Sequence, residues 1–425
     1  MFTYKKLLVV LLTFCSLSVL AQESISYKLY GFVRSDFYSD SRKMVASTQD
    51  LFSLYPYYKN DSGGGDLFAT PSAGLMSITT RIGLDFESQA GILGAKKAIS
   101  KIEVDFGGAP NFMILRIRQA YTQILWDHSN LLIGQTWHPL FAQAATQPNV
   151  LSLNTGAPFQ PFNRSPQVRF NYQMNHIQLS AAAIYQMMYT SYGPDETTSS
   201  TWNTSVSSTS FQKNAMIPDV FVGVEYKKDQ LVIGLGGDYK TIMPSRYITE
   251  DNIKRVNNHL LSTPAVMVYG GYTIGKLVIK AKALYGQNLT EHNIIGGYAI
   301  SPDHKKYIPY NSLSSFIHFN YGKIHQLGLL TGFSANLGPS KTIPAGSNFY
   351  GCGIVGSNDP VNEKIIGNVF RLTPTYSYNI KNWRMGVELE YTNAAWGNRS
   401  PDNGKILNLD RSDNFRIYGV MMYKF

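Results

Sequence analysis

The chain has 425 residues, a formal net charge of +10, 16% charged residues and unusually many aromatics, with 28 Tyr and 22 Phe. Its Lys and Arg are scattered singly or in pairs and form no dense patch or basic helix, which argues against a nucleic-acid partner. Beyond Leu20 no apolar run approaches the roughly 20 residues of a membrane-spanning helix, and Cys352 is the only cysteine there, so a disulfide framework is excluded in the exported chain.

The first residues read as an export signal. Lys5 and Lys6 form a basic start, residues 7–20 an apolar core too short to span a bilayer, and Val19-Leu20-Ala21 a small-residue cleavage site. Cleavage after Ala21 leaves residues 22–425 as one domain.

The mature chain opens on an alternating strand, residues 27–38. Leu29, Gly31, Val33 and Phe37 fall on one face, and Lys28, Arg34 and Asp36 on the other. After a polar, Gly-containing loop, residues 76–87 set Met76, Ile78, Ile82, Leu84 and Phe86 against Arg81, Asp85 and Glu87. Residues 98–106 set Ile102, Val104 and Phe106 against Lys101, Glu103 and Asp105. Residues 112–126 carry Arg116 and Arg118 on their polar face, and 131–137 form a fifth strand that stops at His138-Pro139.

The next segment, 139–166, is Pro-punctuated, carries Arg164 as its one charge, and shows neither strand alternation nor a helical stripe. A structureless connection that long is uncommon in a compact domain unless it is functional. Inside a transmembrane β-barrel it has a place, because irregular backbone at membrane depth is tolerated where it lines a water-filled lumen. The expectation is an inward-folding constriction loop after the fifth strand.

From residue 167 onward strands alternate with short turns and long loops through 177–189, 220–226, 231–241, 265–272, 277–285, 315–321, 324–333, 369–378, 383–392 and 414–425. The fold class expected is all-β: a transmembrane antiparallel β-barrel of about sixteen strands, with long connections at one rim and tight turns at the other. A soluble β-sandwich would have no reason to keep that asymmetry along its whole length.

Enzymatic and cofactor readings find little support. The run from Gly270 to Lys276 has the outline of a phosphate loop, but Leu277 stands where Ser or Thr is required and strands flank it on both sides. The eight His residues show no close ligand spacing, so no metal or cofactor is expected. Ser315 and His318 fall on opposite faces of a strand. The lone Cys352 reads as incidental.

Arg81, Arg116, Arg118, Arg169, Lys280, Lys282, Arg371 and Arg416 all fall on polar strand faces. In a barrel those faces line the lumen, where rings of Arg or Lys favour anionic solutes. Arg116, Arg118 and Arg169, beside the start and end of the long loop, are the expected basic wall. Phe425, the terminal aromatic on the apolar face of the last strand, is the expected assembly signal toward the barrel assembly machinery and outer-membrane lipid.

Several segments resemble the DcaP-like outer-membrane porins: Tyr30-Gly31-Phe32-Val33-Arg34-Ser35-Asp36, Leu115-Arg116-Ile117-Arg118-Gln119-Ala120-Tyr121, Leu132-Ile133-Gly134-Gln135-Thr136-Trp137, Arg164-Ser165-Pro166-Gln167-Val168-Arg169-Phe170 and Phe370-Arg371-Leu372-Thr373-Pro374. The resemblance implies a homotrimeric porin passing small, often anionic, solutes. Only about five residues separate the expected cleavage site from the first strand, so the N-terminal helical extension of some family members has no counterpart here. The alternative is a non-conducting barrel that acts as an adhesin or docking protein through loops 39–74 and 190–216.

Overall fold

The computed structural model describes residues 25–61, 63–89, 92–108, 114–195, 205–250, 253–352, 364–400 and 402–425. The expected export signal lies outside the described residues. The wall is a closed antiparallel barrel of sixteen strands. β1 (Ser26–Asp40) is followed by β2, which comes in two pieces (Ser72–Met76 and Arg81–Gln89). Then come β3 (Lys97–Gly108), β4 (Ile114–Leu125), β5 (Ser129–Trp137), β6 (Arg164–Met174), β7 (Ile177–Ile184), β8 (Asp219–Lys228) and β9 (Leu231–Ile242). β10 (Leu261–Ile274), β11 (Leu277–Gln287), β12 (Tyr307–Gly322), β13 (His325–Pro339), β14 (Lys364–Ile380), β15 (Trp383–Arg399) and β16 (Ile406–Lys424) complete it.

Each strand pairs with its sequence neighbours, and β1 also pairs with β16, with Phe32 opposite Lys424 and Asp40 opposite Arg416. That seam leaves no free sheet edge. Phe425 reinforces it: its backbone exchanges hydrogen bonds with Gly31 (3.1 and 3.2 Å). A side chain at Gly31 would collide with the Phe425 ring and with the Arg81 carbonyl.

The outer surface shows why the alternation exists. Val222, Val224, Ile233, Leu235, Val266, Val268, Val387 and Leu389 are exposed on neighbouring strands. Tyr172, Tyr226, Tyr272, Tyr321, Trp383 and Tyr423 are exposed near the tight-turn rim, and Tyr239, Tyr285, Phe333 and Phe415 toward the loop rim. An apolar band between two aromatic girdles is the surface a lipid bilayer demands.

One expectation is corrected. Met76 and Ile78 do not share the lipid face with Ile82; they pack inside against Tyr38, Leu151 and Tyr418. The cause is parity. Asp36 pairs with Met76 and Phe32 with Arg81, so β2 uses one more residue than β1 over the same distance. An extra residue in one strand of a pair is a bulge, and it turns the following side chains to the other face. Thr79, inside that bulge, donates to the buried Asp36 carboxylate.

Strand ends also differ. β6 begins at Arg164 and β16 at Ile406, so the strands project further toward the loop rim than the apolar alternation alone indicates. The long segment after β5 is not wholly irregular: it contains a 3-10 turn at Pro139–Phe141 and one helical turn at Gln143–Thr146.

Candidate functional site: the barrel lumen

The segment between β5 and β6 is hydrogen-bonded to inward side chains on strands far around the barrel. Lys282 on β11 donates to the carbonyls of Leu140 (3.0 Å) and Phe141 (2.6 Å), and Lys280 to Gln147 (2.8 Å). Asn149 bridges Asn320 on β12 and Gln326 on β13, both at 3.0 Å. The amides of Leu151 and Ser152 donate to the Glu388 carboxylate on β15 at 2.7 and 3.0 Å. Arg34 on β1 donates to the Leu151 carbonyl at 2.6 Å. Arg371 on β14 reaches the Ala157 carbonyl at 3.1 Å, and Ser314 on β12 the Pro158 carbonyl at 2.8 Å. Phe159 lies so close over Gly332 that any side chain there would overlap its ring.

A second loop joins it. The hairpin Met44–Ser47 with Phe52–Pro56, between β1 and β2, belongs to the 39–74 loop that the alternative reading offered to a partner, yet Leu51, Phe52, Leu54 and Tyr55 are at most 3% exposed. Phe52, Leu54 and Tyr55 pack with Trp137, Phe141, Phe159, Phe162, Phe316, Leu330 and Trp396 in one apolar cluster, and Leu51 belongs to a second with Tyr38, Leu151 and Tyr418. Trp137 stacks on Phe141 at 4.1 Å, and Trp396 donates its indole N–H to the Pro56 carbonyl. The sequence signal was present in the run Leu51-Phe52-Ser53-Leu54-Tyr55, four apolar residues of five within a long loop.

The cations named from sequence thus fall into three groups. Lys280, Lys282 and Arg371 donate to loop carbonyls, as does Arg416, which binds Asp40 (3.1 Å) and the Asp50 carbonyl (2.7 Å). Arg81, Arg116 and Arg118 face two carboxylates on β3. Arg116 takes Asp105 at 2.8 Å, Arg118 takes Asp105 at 2.6 Å and Glu103 at 3.0 Å, and Arg81 lies 3.5 Å from Glu103. Three cations over two acids leave one net positive charge on this patch. Arg169 stands apart: among the described residues it has no ion-pair partner, and its buried Nε has no hydrogen bond.

Arg169 lines a cavity of about 790 Å³ that opens at the tight-turn rim. Trp137, His138, Pro139, Ala142 and Ala145 roof it, and Gln119, Tyr121 and Gln123 on β4, Asn171 and Gln173 on β6 and Gln178 and Ser180 on β7 form its wall. At the mouth, Lys227 and Lys228 accompany Glu225 and Asp229. Glu225 is occupied by the Tyr269 hydroxyl at 2.8 Å.

Beside the roof lies a buried polar knot that the sequence did not announce. His138 sits 3.8 Å from Asp238 and edge-on to His292 at 4.5 Å between ring centres. Lys240 meets Glu291 at 2.6 Å. These loop imidazoles are held neutral by burial, which pushes His292 down to about 3 with help from nearby Lys240 and Lys282, and His138 well below its usual range. Burial likewise pushes the Cys352 thiol, in the loop after β13, up to about 12, so it is inert at neutral pH. Among the described residues no group of three or more His, Cys, Asp or Glu is placed to hold a metal ion.

No protein-family model and no curated protein matches this sequence. Solved structures do. An anion-selective porin from Comamonas acidovorans superposes with a TM-score of 0.55 at 11% identity, over 95% of this chain and 100% of that one. OmpT, an outer membrane protein of Vibrio cholerae, gives 0.53 at 10% identity, over 96% and 99%, and its trimer form gives 0.52 at 11% identity, over 95% and 100%. At these identities the likeness shows the fold. This chain therefore has the architecture of the sixteen-stranded outer-membrane porins, closed from its first strand to its last.

Proposed function

We propose that the protein is a porin through which small hydrophilic, anionic solutes diffuse passively across the outer membrane, with the 139–166 loop as its constriction. The observation that carries this reading is the solvent cavity beneath that loop, open to the turn rim and edged by the unpaired guanidinium of Arg169. Charge at a narrow point counts most, because low-dielectric walls focus the field there. The net positive patch of Arg81, Arg116 and Arg118 adds to it. The resemblance to DcaP-like porins and the fold shared with an anion-selective porin point the same way, and a homotrimer fits that resemblance and the trimer form of OmpT.

The test is the reversal potential across a salt gradient. Replacing Arg116, Arg118 and Arg169 together by Gln should move it toward cation preference. The anion preference of the parent should weaken at high salt, where the Debye length falls to about 3 Å at 1 M. An unchanged potential in the triple variant refutes the role of these arginines. A second reading, a non-conducting barrel whose loops bind a partner, is favoured by one feature: the aromatic cluster of Phe52, Tyr55, Trp137, Phe159 and Trp396 packs inside the barrel where a wide pore would be wet.

A further inference from the structure

The wall of the 790 Å³ cavity is unusual for a path meant only to attract small ions. Ion-selective pores are lined by rings of charge. Here, inside the mouth where Lys227 and Lys228 accompany Glu225 and Asp229, Arg169 faces a row of carboxamides and hydroxyls. On the β6/β7 ladder the lumen-facing pairs are Arg169 with Ala182, Asn171 with Ser180, and Gln173 with Gln178. Successive inward pairs are about 6.6 Å apart, so this column runs roughly 13 Å from Arg169 toward the turn rim.

The column is held in shape by its own bonds. Ser180 donates to Asn171 and Asn171 to Asn130, both at 2.7 Å, Gln178 donates to Ser180 at 3.4 Å and Gln173 to the Asn175 carbonyl at 2.7 Å. Among the described residues no donor reaches the oxygens of Gln173 and Gln178, and Gln123 makes no hydrogen bond to another side chain. A carboxamide both donates and accepts, as a hydroxyl does. The rings of Tyr121, Trp137 and Tyr269 border the same space and offer apolar contact to C–H groups.

We propose that this cavity is a binding station for polyhydroxylated monocarboxylates, the sugar-acid class, with the carboxylate on Arg169 and the hydroxyls on the column from Asn171 to Gln178. This refines the porin reading, on which it rests, by naming the solute. A simple anion would offer no donor to the oxygens of Gln173 and Gln178, and a neutral sugar would leave the guanidinium without a counter-charge. Sites built to hydrogen-bond a ligand's hydroxyls discriminate strongly against analogues that lack them.

Isothermal titration calorimetry on the purified, folded protein separates the contributions, and it reads binding whether or not the channel conducts. Three probes serve: gluconate, sorbitol (the hydroxyls without the carboxylate) and hexanoate (the carboxylate without the hydroxyls). Gluconate should bind at least tenfold more tightly than either. Arg169→Gln should weaken gluconate about tenfold or more and leave sorbitol unchanged, since a charge-assisted hydrogen bond is lost. Arg169→Lys should recover part of the loss, which a folding defect would not allow. The double variant Gln173→Leu, Gln178→Leu should weaken gluconate and spare hexanoate. Equal affinity for gluconate and hexanoate, or an Arg169→Gln protein that binds gluconate as the parent does, overturns the proposal. A protein that binds gluconate selectively but passes no current would sink the channel reading and leave the station standing.

Discussion

Glu388 is the most informative single position for the loop's attachment. Its carboxylate receives the amides of Leu151 and Ser152 and the hydroxyl of Thr375 (2.8 Å). Hydrogen bonds to a charged group contribute about 1.5–3 kcal/mol each. Glu388→Ala removes two that bind the loop, so about 3 kcal/mol is the conservative loss. At about 1.4 kcal/mol per tenfold, the docked state loses roughly two orders of magnitude in population relative to the detached one. The bonds from Arg34 to Leu151 and from Arg371 to Ala157 stay, so the loop loosens around 150–153 and is not wholly released. Hydrogen exchange read by mass spectrometry should find that peptide exchanging about a hundredfold faster, with the wall strands unchanged. Glu388→Gln, which keeps one acceptor, should fall between. Unaltered exchange at 150–153 in a folded Glu388→Ala barrel would refute the idea that this carboxylate anchors the loop.

The remaining perturbations follow from other contacts. Deleting Phe425, or replacing it by a charged residue, should lower the amount of heat-modifiable barrel in the membrane, since the residue closes the seam over Gly31 and faces lipid; normal levels would count against the seam argument. Arg118→Gln should lower the barrel's unfolding temperature more than Arg116→Gln, because Arg118 alone bridges Glu103 and Asp105, and breaking such a buried pair costs about 3–5 kcal/mol; equal shifts by gel mobility would contradict it. Gly332→Leu should displace Phe159 and speed exchange of the loop around it without unfolding the wall. The depressed His292 favours the neutral ring, so its contribution is complete above about 6.5 and is lost as the pH falls toward about 3. Protection of the 290–294 amides, measured relative to their intrinsic exchange rate at each pH, should fall as the pH is lowered through that window, and His292→Phe should flatten the dependence.

The barrel was legible because a strand buried on one side needs only a period of two, and that period survives in residues 27–38, 98–106 and 414–425 without any partner being known. Met76 and Ile78 were misplaced because a single inserted residue reverses the period and leaves no mark of its own in composition. The lumen-facing side of the eight cations was also readable. Their partners were not: alternation says that Lys282 points inward, but not that it meets the Leu140 carbonyl 142 residues away. For the same reason Arg371 and Arg416 read as lining charges, whereas in the fold they hold the backbone of two loops. Nor could alternation separate Arg118, which meets Glu103 and Asp105, from Arg169, which has no ion-pair partner among the described residues.

The account rests on the lumen being open to ions despite the loops packed within it. Single-channel recording of the purified, unaltered protein in planar bilayers tests this most directly. Stable, stepwise currents with a reversal potential on the anion side of zero in a salt gradient are predicted. Folded, membrane-inserted protein that gives no steps would contradict the porin reading and leave a closed barrel.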